Sequence, residues 1–489
     1  MKARLLVAML MFWSTGSSFF LSAQDFKKDY DQFRKQAIGE YESFRMEANR
    51  QYAEFMKEAW KSYQCMPAIQ RPKDEDVKPV VVPLEEEGKP IENKQKPIKE
   101  VITSPVVEPQ PKPIAPIYEQ SKQDEKYVSF MYYGKELRVR FNDDEHFQLH
   151  NIKNETLAET WMWLSDGRCD NTIRDCLELR ITLKLSDWGY LMMLKKFVNA
   201  CLEKSNEAQL LLAYTYCQSG YQMRLGREGN WLHMFYASRH HIYGKNFYVK
   251  GDYCLYAVDE DEIHKVELCD VAFPKEQALS LYIQEQPKLG SDMSESRVLK
   301  SRRYDEMKVT TSVNKNLISF YNDYPASEVD GNFMTRWQMY ANTPMAKEIT
   351  DSLYPVLQER IKGQGQLESV ERLLNWVQTA FVYEYDTKVW GNDRTFFAEE
   401  TLYYPYCDCE DRSILFSHLI RDLLGLKVIL VYYPGHLATA VHFTEEVKGD
   451  YILLDKQRYT ICDGTFIGAC VGRTMPDMDN NTATVILLE

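Results

Sequence analysis

The sequence predicts an α+β protein whose chemistry sits in a C-terminal domain, where one buried helix packs on an antiparallel sheet. Three observations carry this. Ile414, Leu415, Leu419, Ile420, Leu423 and Leu424 recur at three- and four-residue steps and stop at Gly425, which marks a helix with one buried face. The stretches 426–433, 436–441, 451–454 and 459–462 are short, apolar, β-branched or aromatic runs, punctuated by Pro434-Gly435 and Gly449-Asp450 turns. The same order of helix, glycine, strand, turn and strand recurs mid-chain around Gly220 and Gly251.

Residues 1–23 read as a secretory leader. Lys2 and Arg4 precede an apolar run from Leu5 to Trp13, and Leu21-Ser22-Ala23 forms a small-residue cleavage site. The expected location is exported, periplasmic or secreted, and soluble, because no later apolar run reaches the length of a membrane span. The composition, 44% hydrophobic and 13% aromatic, fills real cores in a chain of 489 residues. A formal charge of −13 with no basic patch argues against nucleic acid as a partner. Eleven cysteines are an odd number and sparse for a disulfide scaffold. Cys201, Cys217 and Cys254 lie in apolar patterns, whereas Cys169 and Cys176 are spaced to bridge across a loop.

Residues 24–66 repeat every eleven positions. Phe26, Ala37, Ala48 and Ala59 share one position; Tyr30, Tyr41, Tyr52 and Tyr63 the next; Phe33, Phe44 and Phe55 the third. Eleven residues in three turns keep such a stripe nearly straight along one long helix. The stripe needs a partner, and its balanced charges favour self-association or an envelope component over a membrane surface. Residues 67–122 then hold more than half of the nineteen prolines among Lys, Glu and Val. They read as a semi-rigid linker, able to span on the order of 100 Å at about 3 Å per residue.

Residues 123–290 are expected to form an α+β domain. A hairpin turns at Tyr133-Gly134-Lys135, helical patterns run through Trp161, Leu177 and Met192 to Cys201 and again over 208–220, and strands follow at 221–226 and 251–256. The Gly251-Asp252-Tyr253 corner repeats Gly449-Asp450-Tyr451, so this unit reads as a degenerate copy of the C-terminal one. Ser205-Asn206 stands where the copy would need a thiol, which makes His233, His240 and His241 structural. Residues 300–489 form the last domain, with a strand expected at 309–321 and helices at 344–362 and 368–381.

The candidate chemistry begins at Asp408-Cys409-Glu410-Asp411-Arg412. Asp408 is placed to cap the helix and Asp411 stands at the capping-box position, so Cys409 falls on the first turn. There the free amides and the positive end of the dipole favour a thiolate. His436 opens a strand after Pro434-Gly435, and Asp463 follows another strand's end at Asp463-Gly464-Thr465. A nucleophile, a base and a carboxylate to orient the base are the three roles that thiol catalysis needs. His442 shares the strand with His436 but lies six residues along it, roughly 20 Å away at strand rise. Cys407 and His418 are expected to be structural, and Cys407, Cys409 and His418 lack a fourth partner at zinc-like spacing. No metal or cofactor is expected.

These residues resemble the transglutaminase-like branch of the papain-type cysteine enzymes. Its signature is a Gly/Asp-Cys-x-Asp helix start, a Gly-His strand and an Asp-Pro-Thr strand end, and the resemblance covers roughly the last 150 residues, about one domain. It implies Cys409 as nucleophile, His436 as general base and Asp463 as orienter, with a protein or peptide substrate. Two departures stand out: Gly464 replaces the usual proline, and Asp408, Glu410 and Asp411 crowd the sulfur with negative charge. Gln378 and Trp390 lie upstream, where related enzymes place an oxyanion donor, and the sequence does not choose between them. The expected activity is attack on a peptide or glutamine amide through a thioester, with hydrolysis favoured over cross-linking. The alternative is an inactive fold serving as an envelope scaffold.

Overall fold

The computed structural model describes residues 23–72, 77–82, 92–122, 124–259, 263, 265–476, 478 and 482–489. Nearly all of the expected leader, residues 1–22, lies outside them. The fold is mixed α+β, built on two curled and mainly antiparallel sheets.

The chain enters as α1 (Ala23–Met56). Its last turns dock on the body: Ala48, Tyr52, Ala53 and Met56 are buried, Arg45 pairs with Asp170 at 2.6 Å, and Asn49 accepts from the Trp161 indole at 2.9 Å. The expected helix to residue 66 ends earlier. The Trp60 indole donates to the Met56 carbonyl, and β1 (Trp60–Gln64) leaves as a strand. The docked face is the alanine and tyrosine side of the repeat. Phe33, Phe44 and Phe55 stay exposed, as do Tyr30 and Tyr41.

The proline-rich stretch is no free tether. It forms β2 (Lys94–Lys96) and β3 (Ile98–Ile102), separated only by Pro97. Both pair with strands of the C-terminal sheet, so backbone groups that a spacer would leave in water are bonded to the body.

The middle unit opens with a hairpin, β4 (Tyr127–Tyr132) and β5 (Lys135–Arg140), whose turn residues Tyr133 and Gly134 both have positive φ, as a primed turn requires. Four helices follow: α2 (Asn154–Leu164), α3 (Asp170–Thr182), α4 (Asp187–Leu202) and α5 (Asn206–Gln218). Then come β6 (Met223–Glu228), β7 (Trp231–Ser238), β8 (His240–Ile242), β9 (Tyr248–Lys250), β10 (Tyr253–Ala257) and β11 (Lys265–Cys269). The sheet order is β1-β11-β6-β7-β10-β9.

A two-strand connection, β12 (Arg297–Lys300) and β13 (Lys308–Thr311), leads to α6 (Lys315–Asp323). The strand expected over 309–321 therefore breaks after Thr311. The Asn314 side chain caps the Asn316 amide, and Leu317, Ile318, Phe320 and Tyr321 then fall on one buried helical face. Phe320 meets Trp188 and Tyr133 of the middle unit, while Tyr321 stacks on Phe397 of the C-terminal one at 4.0 Å. One apolar core runs through both units across this helix.

After β14 (Ser327–Val329) come α7 (Thr335–Asn342), α8 (Lys347–Ile361), α9 (Gln366–Ala380), β15 (Val382–Tyr383), α10 (Asp386–Val389), α11 (Ala398–Tyr403) and β16 (Tyr406–Cys407). The helix α12 (Cys409–Leu424) starts at Asp408 with the capping box to Asp411 and ends at left-handed Gly425. β17 (Lys427–Tyr433), β18 (His436–His442), β19 (Asp450–Leu454), β20 (Gln457–Cys462) and β21 (Ala483–Leu487) complete a sheet in the order β2-β19-β20-β18-β17-β21-β3. Because β2 and β3 are consecutive in the chain, one short segment joins both sheet edges and closes the sheet on itself.

The two sheets share a strand order. Counting from the strand that follows the packed helix, each runs third, fourth, second, first, fifth: β9-β10-β7-β6-β11 and β19-β20-β18-β17-β21. In each, an N-terminal segment is added outside the fifth strand, β1 on β11 and β3 on β21.

Candidate active site

Asp463 and His436 are brought together. His436 is the first residue of β18, set there by the turn at Pro434 and Gly435, with Gly435 at φ 76°. Its Nε2 lies 2.9 Å from Asp463 Oδ2. The other oxygen of Asp463 accepts the amides of Thr465 at 2.8 Å and Phe466 at 3.2 Å. A carboxylate so engaged is an acceptor, so His436 carries its proton on Nε2 and presents Nδ1 as a lone pair. Nδ1 is buried and has no hydrogen-bond partner.

Cys409 begins the helix that packs on this strand start, and its sulfur makes no hydrogen bond to His436 Nδ1. It is the first residue of α12 and 4% exposed, and its sulfur takes the backbone N–H of Leu437, the residue after His436. One turn further along α12, the Ser413 hydroxyl donates to the Leu437 carbonyl at 2.9 Å, which locks helix start to strand start. The thiol itself points its proton elsewhere: Sγ lies 3.2 Å from Glu410 Oε2. Burial, then the charges of Glu410 and Asp408, push the thiol well above its ordinary range, and the Leu437 amide pulls only weakly the other way. The resting thiol is neutral, contrary to the thiolate that a helix start alone predicts.

The surroundings explain that field. Asp386, Asp408, Glu410 and Asp411, all buried, form an acidic knot with half-buried Asp393, their oxygens and the Cys409 sulfur falling in overlapping sets of three within 4.8 Å. Burial, then Asp411 and Glu410, push Asp386 up to about 10, and burial pushes Asp393 up to about 6 despite its pairing with Arg336. Two of these carboxyls already serve the backbone. Asp386 accepts the Arg394 amide at 2.5 Å, and Asp411 accepts those of Phe396 and Asp408 at 2.9 and 3.2 Å. The same residues offer donor atoms for a cation, but their present work is to hold the loop before α12.

Gln378 is committed to structure. Its amide donates to the carbonyls of Asp463 and Ala469 and accepts from Gly468, which fixes the loop after β20. Trp390 packs on Phe396 and Tyr404. The buried guanidinium of Arg412 donates to the carbonyls of Gln378, Gly464 and Phe381 at 3.1 to 3.2 Å, tying the Cys helix to the Asp loop. A Cβ on Gly464 would lie 3.2 Å from that of Arg412, which accounts for glycine where the resemblance leads one to expect proline.

Of the other histidines, His442 binds the Arg458 carbonyl at the far end of β18. His418 and His240 are buried and held down at about 3, hence neutral. All eleven cysteines are free thiols, including Cys169 and Cys176, which both turn into the core instead of bridging. Sequence reasoning noted Glu410 as a nearby charge but missed it as the thiol's acceptor. It missed the Leu437 amide altogether, because a backbone donor leaves no mark on residue identity.

The corresponding place in the middle unit is differently furnished. Asn206 begins α5 as Cys409 begins α12, and its Oδ1 accepts the amide of Leu232, the second residue of β7, at 2.8 Å. Trp231 opens β7 opposite Glu228 just as His436 opens β18 opposite Tyr433. Val258 bonds the fourth residue of β7 where Cys462 pairs with the fourth of β18, so Asp259 corresponds to Asp463. The thiol and the imidazole are replaced, and the carboxylate is kept. In comparisons with known proteins the chain matches no family model, no curated protein and no solved structure.

Proposed function

We propose that the chain is an exported, transglutaminase-like cysteine enzyme, which cleaves peptide or glutamine amides through a thioester on Cys409, with water favoured over an amine as acceptor. One observation carries the reading. The Cys409 sulfur takes the amide of Leu437, the residue after His436, and the His436 imidazole is oriented by Asp463 with its Nδ1 left free.

Because burial keeps the thiol neutral, His436 acts as a general base rather than as half of a standing ion pair. The S–H turns from Glu410 to Nδ1, and the proton moves to the ring as sulfur bonds to the carbonyl carbon. Asp463 stabilises the resulting imidazolium. The tetrahedral oxyanion collapses, the C–N bond breaks, and the same proton leaves on the departing nitrogen. Water then attacks the thioester by the reverse exchange, freeing the acid and restoring the thiol. The unpaired amides at the start of α12 favour the transient negative charge. The middle unit, read as a degenerate copy with Asn206, Trp231 and Asp259 at the three positions, binds or braces.

A second reading has its own support: the thiol bonded to Glu410 among acidic neighbours suits an inert scaffold. Mass spectrometry of the full-length protein quenched during turnover of a glutamine-containing peptide library separates the two. An acyl adduct on Cys409, absent in His436→Ala, is expected. No adduct at any pH between 5 and 9 would sink the enzyme reading.

A further inference from the structure

We infer that an extended peptide main chain binds over Cys409 and His436, and that residues 77–82 of the protein itself hold that place in the resting state. Its identification as a substrate site rests on the cysteine-enzyme reading above; its occupancy by the chain does not.

Residues 77–82 are bonded by their backbone to the surroundings of all three candidate residues. The Val77 amide donates to the carbonyl of Gly435, the residue before His436, at 3.1 Å. The Val77 carbonyl accepts from the Tyr383 hydroxyl at 3.5 Å, and Tyr383 pairs in register with Cys407, two residues before Cys409. Val80 and Val82 exchange two bonds with Ile467, four residues after Asp463, at 2.8 and 3.0 Å. Val82 is buried in the apolar cluster of the C-terminal sheet, with Val77 and Val80 packed against it. The two bonds bracket a single parallel bridge from Val81 to Ile467, the kind of main-chain bonding by which an extended peptide is held.

The segment is held at both ends. Upstream, Arg71 donates to Asn392 at 3.1 Å; downstream, β2 and β3 are fixed to opposite edges of the sheet. The middle unit supplies the contrast. At its equivalent place a cavity of about 350 Å³ stands open, lined by Ser205, Gln209, Trp231, Leu232 and Asp259 among others, and Trp231 is 62% exposed. His436, the counterpart of Trp231, is 1% exposed. The same sheet order thus carries an open cavity in the unit without the segment and a buried histidine in the unit that has it. The substrate it displaces or imitates is an extended peptide with β-branched or other apolar residues at the positions of Val77, Val80 and Val82.

The test uses the full-length protein and Val77→Pro/Val82→Pro, which removes both amide donors. Iodoacetamide labelling is read at each cysteine by peptide mapping. Labelling at Cys409 is expected to rise at least tenfold, to fall back on adding the synthetic peptide Val-Lys-Pro-Val-Val-Val, and to leave Cys407 and Cys462 protected. An unchanged rate at Cys409, or a rise that the peptide does not reverse, overturns the inference. If Cys407 and Cys462 open as well, the fold has loosened and the deciding variant becomes Tyr383→Phe, which removes one hydroxyl from an intact ring. A threefold rise confined to Cys409 is then expected, and no rise overturns the inference. Labelling that behaves as expected without any acyl adduct on Cys409 keeps the peptide site and sinks the enzyme.

Discussion

His436 Nε2 lies 2.9 Å from Asp463 Oδ2, and the other Asp463 oxygen is spent on the amides of Thr465 and Phe466. The carboxylate is therefore fixed by the chain before it fixes the ring. Asp463→Asn keeps an oxygen for those two amides but turns an NH2 toward His436, which forces the proton onto Nδ1 and removes the base. Thioester formation is expected to fall about 10³- to 10⁴-fold with the melting temperature nearly unchanged. Single-turnover kinetics with mass detection of the Cys409 adduct measure it. A loss below tenfold would remove Asp463 from the chemistry.

Glu410 is the nearest brake on the thiol. Its carboxylate both holds the S–H and repels a thiolate, whereas the neutral amide of Glu410→Gln would do only the first, and less well. This substitution is expected to lower the Cys409 thiol pKa and to speed alkylation at pH 7.5, roughly tenfold for each unit by which it falls. The pH dependence of iodoacetamide labelling at Cys409 gives the value directly. A profile that does not move would show burial alone to be the cause.

What the sequence disclosed follows how local each signal is. The start and stop of α12, the four strands β17 to β20 that follow it and the Pro434-Gly435 turn between the first two are written in neighbouring residues, and they appear within one or two positions of the expected bounds. The segment from Val309 failed for a related reason: Val309, Thr311 and Val313 alternate as a strand, and only the Asn314 cap marks the switch to helical spacing. β2 and β3 were illegible because their partners lie more than 350 residues downstream, and nothing in Lys94–Lys96 names a sheet edge. The candidate site was legible as residue types. The direction of the thiol proton was not, because it depends on burial.

The closing of the C-terminal sheet by one short segment has a cost when it is taken away. Replacing Lys94–Ile102 with a flexible Gly/Ser segment leaves the outer edges of β19 and β21 with unpaired backbone groups while α1 and β1 stay in place. Open edges of this kind pair with other chains. The variant so altered is expected to form concentration-dependent oligomers where the unmodified chain elutes with its ordinary size, as light scattering on a sizing column would read. A monodisperse variant with unchanged melting would mean that the sheet is complete without β2 and β3.

Several buried carboxyls are raised: Asp386 to about 10, Glu399 to about 7, and Glu400 and Asp393 to about 6, in each case chiefly by burial. In the unfolded chain these groups titrate near 4. Between pH 4 and their folded values the folded protein therefore binds more protons than the unfolded one. Stability from these groups is fully present below about pH 4 and is lost as pH rises through 6, 7 and finally 10. Exposed carboxylates such as Glu47, lowered to about 2 by Arg50, act the opposite way but only at more acid pH. Melting temperature is thus expected to fall from pH 5 to pH 8 by several degrees. Asp386→Asn, which keeps an acceptor for the Arg394 amide but sheds the titrating group, should flatten that slope and raise the melting temperature most at pH 8. A melting temperature that climbs from pH 5 to pH 8, or an Asp386→Asn curve parallel to that of the unmodified protein, would mean that the acidic knot is ionised in the fold and balanced by a cation.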